Sequence, residues 1–261
     1  MWKRAALAVG LGGGGLGCKA STAVNAEAWD KNWDYRGGGA GKDKKEGRSK
    51  IVHTILLIRH GQYEQSLSAP GDDSLTKDSK RVLSSKGRVQ ARETGKRIQQ
   101  MIDIGNLPPL EFIYHSTMAR ASETSKLIVE QLKKPPLNHK VNACSMLRES
   151  AVCRPDPPFQ QWDPSIEDFI KDNLRVTAAF SSHIHRPDHD KDASYTTLLV
   201  CHGNVIRYLL LKALQMDTAG WSRLAVYNAS ITRIDIYSDG GVSVKGVGDV
   251  GHLAPDLVTY E

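Results

Sequence analysis

The chain has 261 residues, 40% of them hydrophobic, which is enough to bury one substantial core but hardly two. Its formal net charge is +6, yet residues 1–50 hold ten Lys or Arg against five Asp or Glu, while residues 51–261 hold the remaining 25 against 24, so the basicity belongs to an arm. With no clustered aromatics and no nucleic-acid-binding motif, that charge does not argue for nucleic acid as a partner, and four cysteines without paired spacing (Cys18, Cys144, Cys153, Cys201) argue against a disulfide framework or a zinc site.

The arm divides in two. In residues 1–24, Lys3 and Arg4 precede a glycine-rich apolar stretch, and no acidic residue occurs before Glu27. Ala5 to Val24 makes twenty residues if Lys19 snorkels to the interface, so the segment reads as a membrane anchor with targeting content. Leu16-Gly17-Cys18 loosely resembles a lipoprotein site, and the acid-free basic flank equally suits mitochondrial targeting. Residues 25–50 form a linker carrying Trp29-Asp30-Lys31-Asn32-Trp33-Asp34, then glycines and the charged run Lys42 to Lys50. Two tryptophans in a polar arm can dock on their own domain, sit at a membrane interface, or act as a linear motif that fills a groove elsewhere.

Residues 51–261 read as one α/β domain. Ile55-Leu56-Leu57-Ile58 is a short apolar run of the kind that forms a buried parallel strand, and Arg59-His60-Gly61 follows it at once. A Ser-, Asp- and Gly-rich loop over residues 61–83 leads to a helix whose inner face is Gly87, Ala91, Thr94, Ile98 and Met101, with Glu93 and Arg97 as an i,i+4 pair outside. Glu111 to Tyr114 is a further strand, and Arg120 falls in the first turn of the helix that follows. Asp163-Pro164 predicts the start of another helix, with Ile166, Ile170, Leu174, Thr177, Phe180 and Ile184 as its apolar face. His183, His185 and His189 beyond it read as a solvated loop rather than a metal cluster. Leu198 to Cys201 is a second apolar run, ending at His202-Gly203, and Asn204 is placed to cap a helix from Val205 to Leu214. Ile231 to Tyr237 and Val242 to Val247 form a hairpin.

Ligands collect where the carboxyl ends of parallel strands meet, and here three strand ends deliver Arg59 with His60, Arg120, and His202. That set points to a phosphate site.

With these motifs the chain resembles the histidine phosphatase (phosphoglycerate-mutase-like) superfamily, whose signature is Arg-His-Gly after the first strand. Ser116 to Thr124 is similar to its second arginine segment, and Leu199 to Arg207 to its second histidine segment. Trp29 to Asp34, Arg154 to Pro158, Asn228 to Thr232 and Gly248-Asp249 more narrowly resemble a mitochondrial protein Ser/Thr phosphatase branch. The resemblance implies a three-layer α/β/α fold with a mostly parallel sheet. It implies His60 as nucleophile, Arg59, Arg120 and Gly203 as the phosphoryl-binding groups, His202 as a charge-assisted donor, and Glu149 as proton donor and later base. A surface carboxylate paired with Arg148 is the competing reading of Glu149. No cofactor and no metal are implied. Implied partners are phosphoprotein substrates, a mitochondrial membrane, and further copies of the chain joined through Trp29, Asp30, Asn32, Trp33 and Asp34. Gln62 stands where the superfamily commonly has Glu, and an Asn usual in mutases is missing, which disfavours mutase chemistry. Two alternatives stand beside the protein phosphatase: a small-molecule phosphatase or mutase on the same fold, and a scaffold with vestigial activity.

Overall fold

The computed structural model describes residues 28–37, 51–64, 78–133, 141–159, 164–188 and 191–260. The proposed anchor, most of the linker and His189 lie outside the described residues. Among the described residues no helix is long and apolar enough to cross a membrane.

Six strands form one sheet: β1 (Val52–Arg59), β2 (Leu110–Ser116), β3 (Val141–Cys144), β4 (Tyr195–Cys201), β5 (Ile231–Tyr237) and β6 (Val242–Asp249). Their order is β3-β2-β4-β1-β5-β6. The first four are parallel, and the β5–β6 hairpin adds an antiparallel edge beside β1. β1 and β4 occupy the middle and are buried almost throughout, as their unbroken apolar runs require of strands covered on both faces.

Alternation along these strands feeds two cores. Ile55, Leu57, Leu199 and Cys201 face one side, against Val176, Ala179 and Phe180 of α3 (Ile166–His183) and Val205, Ile206 and Leu209 of α4 (Gly203–Ala213). Leu56, Ile58, Leu198 and Val200 face the other, against Ile98 and Met101 of α1 (Ser85–Asp103) and Ala121 and Ile128 of α2 (Ala119–Val129). The result is the expected three-layer α/β/α arrangement. Register between β1 and β4 pairs Arg59 with Cys201, so His60 and His202 leave adjacent strands side by side.

Several local expectations are corrected. Ser165 caps α3, its hydroxyl accepting from the Asp168 N–H, and Asp163 lies outside the described residues. The buried face of α3 is Phe169, Val176, Ala179, Phe180 and His183. The bulkier aromatic set fills the core, and Ile166, Ile170 and Leu174 on the neighbouring flank stay exposed. His202, not Asn204, is the N-cap of α4. Asn204 instead accepts from Arg207 and donates to the Ser150 carbonyl. Glu93 pairs with Lys96 one position short of Arg97. His183 and His185 are buried rather than solvated, because the end of α3 tucks beneath the sheet. There His53 Nδ1–H donates to the His185 carbonyl, and its Nε2 accepts from Thr197.

Candidate active site

The site assembles at the carboxyl edge of the parallel strands. His60 is 2% exposed, and its backbone is clamped on two sides: its N–H donates to the Cys201 carbonyl, and its own carbonyl accepts from Ala229 N–H and Asn228 Nδ2. Its ring is oriented by Nδ1–H donating to the Gly61 carbonyl at 2.8 Å. That bond leaves a lone pair on Nε2, which accepts from Arg120 Nε at 3.2 Å. Burial first, then the charges of Arg120 and Arg59, hold the His60 pKa well below its ordinary 6.5. The ring is therefore neutral at neutral pH, more firmly than an unperturbed imidazole.

Close packing fixes the loop behind it. A Cβ on Gly61 would stand 2.5 Å from the Gly87 carbonyl oxygen, and one on Gly87 would stand 1.9 Å from that of Gln62. Backbone thus meets backbone at the start of α1, where Ser84 caps the helix and also donates to the Gln62 side chain. The Gln62 side-chain carbonyl is thereby tied to the cap.

Arg59 and Arg120 are both buried, and Arg59 Nη1 donates to the Val226 carbonyl at 2.7 Å. Gly203 opens α4, and a Cβ there would lie 3.6 Å from Arg59 Nε, so the helix N-terminus sits beside that guanidinium. The His202 ring meets the His60 ring edge-on at 5.0 Å. Ser116 Oγ accepts from the Met118 N–H and is hydrogen-bonded to His202 Nε2 at 2.8 Å, which fixes the orientation of the imidazole. Nδ1 is buried with no hydrogen-bond partner among the described residues. Burial, then the neighbouring His60, Arg120 and Arg59, push the His202 pKa well down.

Glu149 joins the same cluster. Burial raises its pKa, against the opposing pull of the Ser150 N–H and of Arg120, Arg59 and Arg207. Its carboxylate accepts from Ser150 N–H at 3.0 Å, and no ion pair joins it to Arg148 among the described residues. A carboxyl whose pKa is raised, beside an imidazole whose pKa is lowered and two guanidiniums, can supply a proton, a nucleophilic nitrogen and an anion cradle in one place.

A family model described as histidine phosphatase superfamily (branch 1) matches residues 55–249, which holds all five of these side chains. The chain belongs to the histidine phosphatase superfamily. Its similarity to curated histidine phosphatases is extensive. It is 37% identical over 249 residues to the human protein named serine/threonine-protein phosphatase PGAM5, mitochondrial, covering 88% of this chain and 80% of that one. The mouse protein of the same name is 36% identical over the same coverage. Among solved structures, phosphoglycerate mutase from Plasmodium falciparum superposes with a TM-score of 0.51 at 28% identity, over 81% of this chain and 99% of that one. A protein titled mycobacterial hydrolase 2, at 20% identity, shares the fold with a TM-score of 0.55 over 80% of this chain and 95% of that one.

The histidine phosphatase site also uses residues that sequence reasoning did not single out. Arg175 donates to the carbonyls of Met146, Arg148 and Glu149 and pairs with Asp172, which in turn accepts from Ala151 N–H. One arginine on α3 thus staples the loop that carries Glu149. Tyr63 lies edge-on to His60 and across the face of Arg120. Ala229 holds a left-handed φ of 56° while its N–H reaches the Arg59 and His60 carbonyls. None of these has a spacing that marks it in advance.

The arm motif lies elsewhere, on the α3 side of the sheet. Trp33 Nε1 donates to the Gly240 carbonyl, and its ring meets Phe180 at 5.7 Å. Asp34 forms a buried ion pair with Arg186, whose charge and hydrogen bonds hold the carboxyl pKa down against the cost of burial. Asp30 exchanges hydrogen bonds with Gln215, Asn32 accepts from Gly37 N–H, and Trp29 stays exposed. Trp33 and Asp34 therefore dock on their own chain.

Proposed function

We propose that this histidine phosphatase is a protein serine/threonine phosphatase working through a phosphohistidine on His60. The carrying observation is the hydrogen bond from His60 Nδ1–H to the Gly61 carbonyl, which leaves the lone pair on Nε2, facing Arg120, as the nucleophile. In the first step the Nε2 lone pair attacks phosphorus, the bond to the seryl or threonyl oxygen breaks, and Glu149 gives that oxygen its proton. Arg59 and Arg120 take the nonbridging oxygens, with Gly203 and the start of α4 alongside. His202 becomes a donor through its unpartnered Nδ1 when an incoming dianion opposes the electrostatics that keep its ring neutral. In the second step Glu149 takes a proton from water, the hydroxyl attacks phosphorus, and the P–N bond breaks to release phosphate and restore His60.

The serine/threonine protein substrate is supported by the names of the relatives, which are 36–37% identical to this chain over 249 aligned residues. Those names also support a mitochondrial location, and the composition of residues 1–24 supports a single anchor in a mitochondrial membrane. Assembly in this reading proceeds by exchange of the arm: with its own arm displaced, the groove of Phe180, Gly240 and Arg186 would give the same contacts to Trp33 and Asp34 of a second copy. Phosphate release from a phosphothreonine peptide, measured with chelator present, tests the reading. Wild type is expected to release phosphate and His60→Ala to lose it. Equal release from both would refute it.

A further inference from the structure

The guanidinium of Arg120 has two quite different neighbours. Its Nε–H faces His60 Nε2. Its Nη1 donates to the Asp78 carbonyl at 3.0 Å, and its Nη2 to Asp78 Oδ2 at 3.2 Å, so one residue holds both terminal nitrogens. The second carboxylate oxygen, Oδ1, lies 3.6 Å from Nη1 of Arg81. Both arginines lie over the Tyr63 ring, at 4.7 Å for Arg120 and 5.9 Å for Arg81. One carboxylate therefore sits between two guanidiniums that share an aromatic platform.

A carboxylate and a phosphoryl group seek the same fork of N–H donors on arginine, so each excludes the other from it. The two partners differ in freedom. The Arg120 side chain is 3% exposed and locked by His60 and Tyr63, whereas the Asp78 side chain is 25% exposed and has Arg81 as a second cation within reach. Displacement therefore moves Asp78, not Arg120.

We propose that Asp78 is an internal competitor for the phosphoryl group, occupying Arg120 in the resting site and passing to Arg81 when phosphate takes the fork. The proposal rests on the reading of the site as one for phosphoryl transfer. It makes Asp78 a determinant of substrate affinity that acts through Arg120, and Arg81 its counterweight.

The two residues give variants of opposite sign. Asp78→Asn removes the competing charge and keeps the backbone contact, so inorganic phosphate, followed by calorimetry, should bind roughly 3- to 10-fold more tightly, with KM for a phosphothreonine peptide falling in parallel. Arg81→Gln removes the alternative partner, so Asp78 stays on Arg120 and phosphate should bind roughly 2- to 3-fold more weakly. If Asp78 merely supports the structure, both variants weaken binding, and that result overturns the proposal. Tighter binding by Asp78→Asn, with no peptide turnover by the wild type, would support the competitor while removing the phosphatase reading. Failure of wild type and Asp78→Asn alike to bind phosphate would remove both.

Discussion

Arg120 Nε stands 3.2 Å from His60 Nε2, a cation donating to the atom proposed as the nucleophile. Such a contact depresses the basicity of the imidazole while holding the guanidinium where a phosphoryl oxygen would bond it. Nucleophile and anion cradle are set by one geometry.

The pH dependence of activity follows from it. His60 must be neutral to react, and its pKa is held well below 6.5 by burial and by Arg120 and Arg59. The acid limb of the kcat/KM profile should therefore have its half-point below pH 6.5, and replacing Arg120 by Gln should move that half-point upward. A half-point at or above 6.5 in the wild type would contradict the argument.

Stability should fall on the acid side as well. The pKa of His53 is pushed down to about 3 and that of His183 to about 4, in both cases chiefly by burial. The unfolded chain takes these protons near 6.5 while the folded chain refuses them. Their contribution is thus complete above that pH and is lost as pH falls through 6.5 towards 4, at ~1.4 kcal/mol per unit for each histidine. Urea denaturation above pH 7 and near pH 5 measures it, and equal midpoints would count against the buried histidine pair.

Arg175 holds the Glu149 loop through three carbonyls and Asp172. Arg175→Ala should lower kcat by about 10-fold or more through the misplaced acid, with a flattened basic limb of the pH profile and little change in KM. Arg175→Lys, which cannot span the same set of carbonyls, should rescue it poorly. A pure KM effect would assign Arg175 to substrate binding instead.

At Gly87 the limit is space. A Cβ 1.9 Å from the Gln62 carbonyl oxygen must push the Gly61–Gln62 backbone away from α1, so Gly87→Ala should cost about 3 kcal/mol and carry His60 out of line. Thermal unfolding together with activity reads this. A stable, fully active variant would show that the loop does not depend on the close approach.

Much of this was legible in the chain because a few positions carry it. Unbroken apolar runs ending in Arg59-His60 and Cys201-His202 announce central parallel strands and put both histidines at the same edge. The hairpin was legible from Ser238-Asp239-Gly240-Gly241. β3 was not: it is a four-residue edge strand with alternating exposed positions, too short and polar to show a pattern. The inner face of α3 was misread because Ile166, Ile170 and Leu174 repeat at helical spacing as well as Phe169, Val176 and Phe180 do, and only the tertiary fit selects the aromatic set. The staple by Arg175, the contact of Ser116 with His202 and the Asp78 contact depend on distances across the fold, which spacing along the chain does not encode.

The most direct test of the central claim is to trap the phosphoryl group. Wild type would be mixed with a phosphothreonine peptide, quenched rapidly in base and digested, and the phosphoryl group located by mass spectrometry. The account predicts phosphohistidine at His60, labile to acid and absent from His60→Ala. Phosphoryl transfer to another residue, or phosphate release that persists without His60, would contradict it.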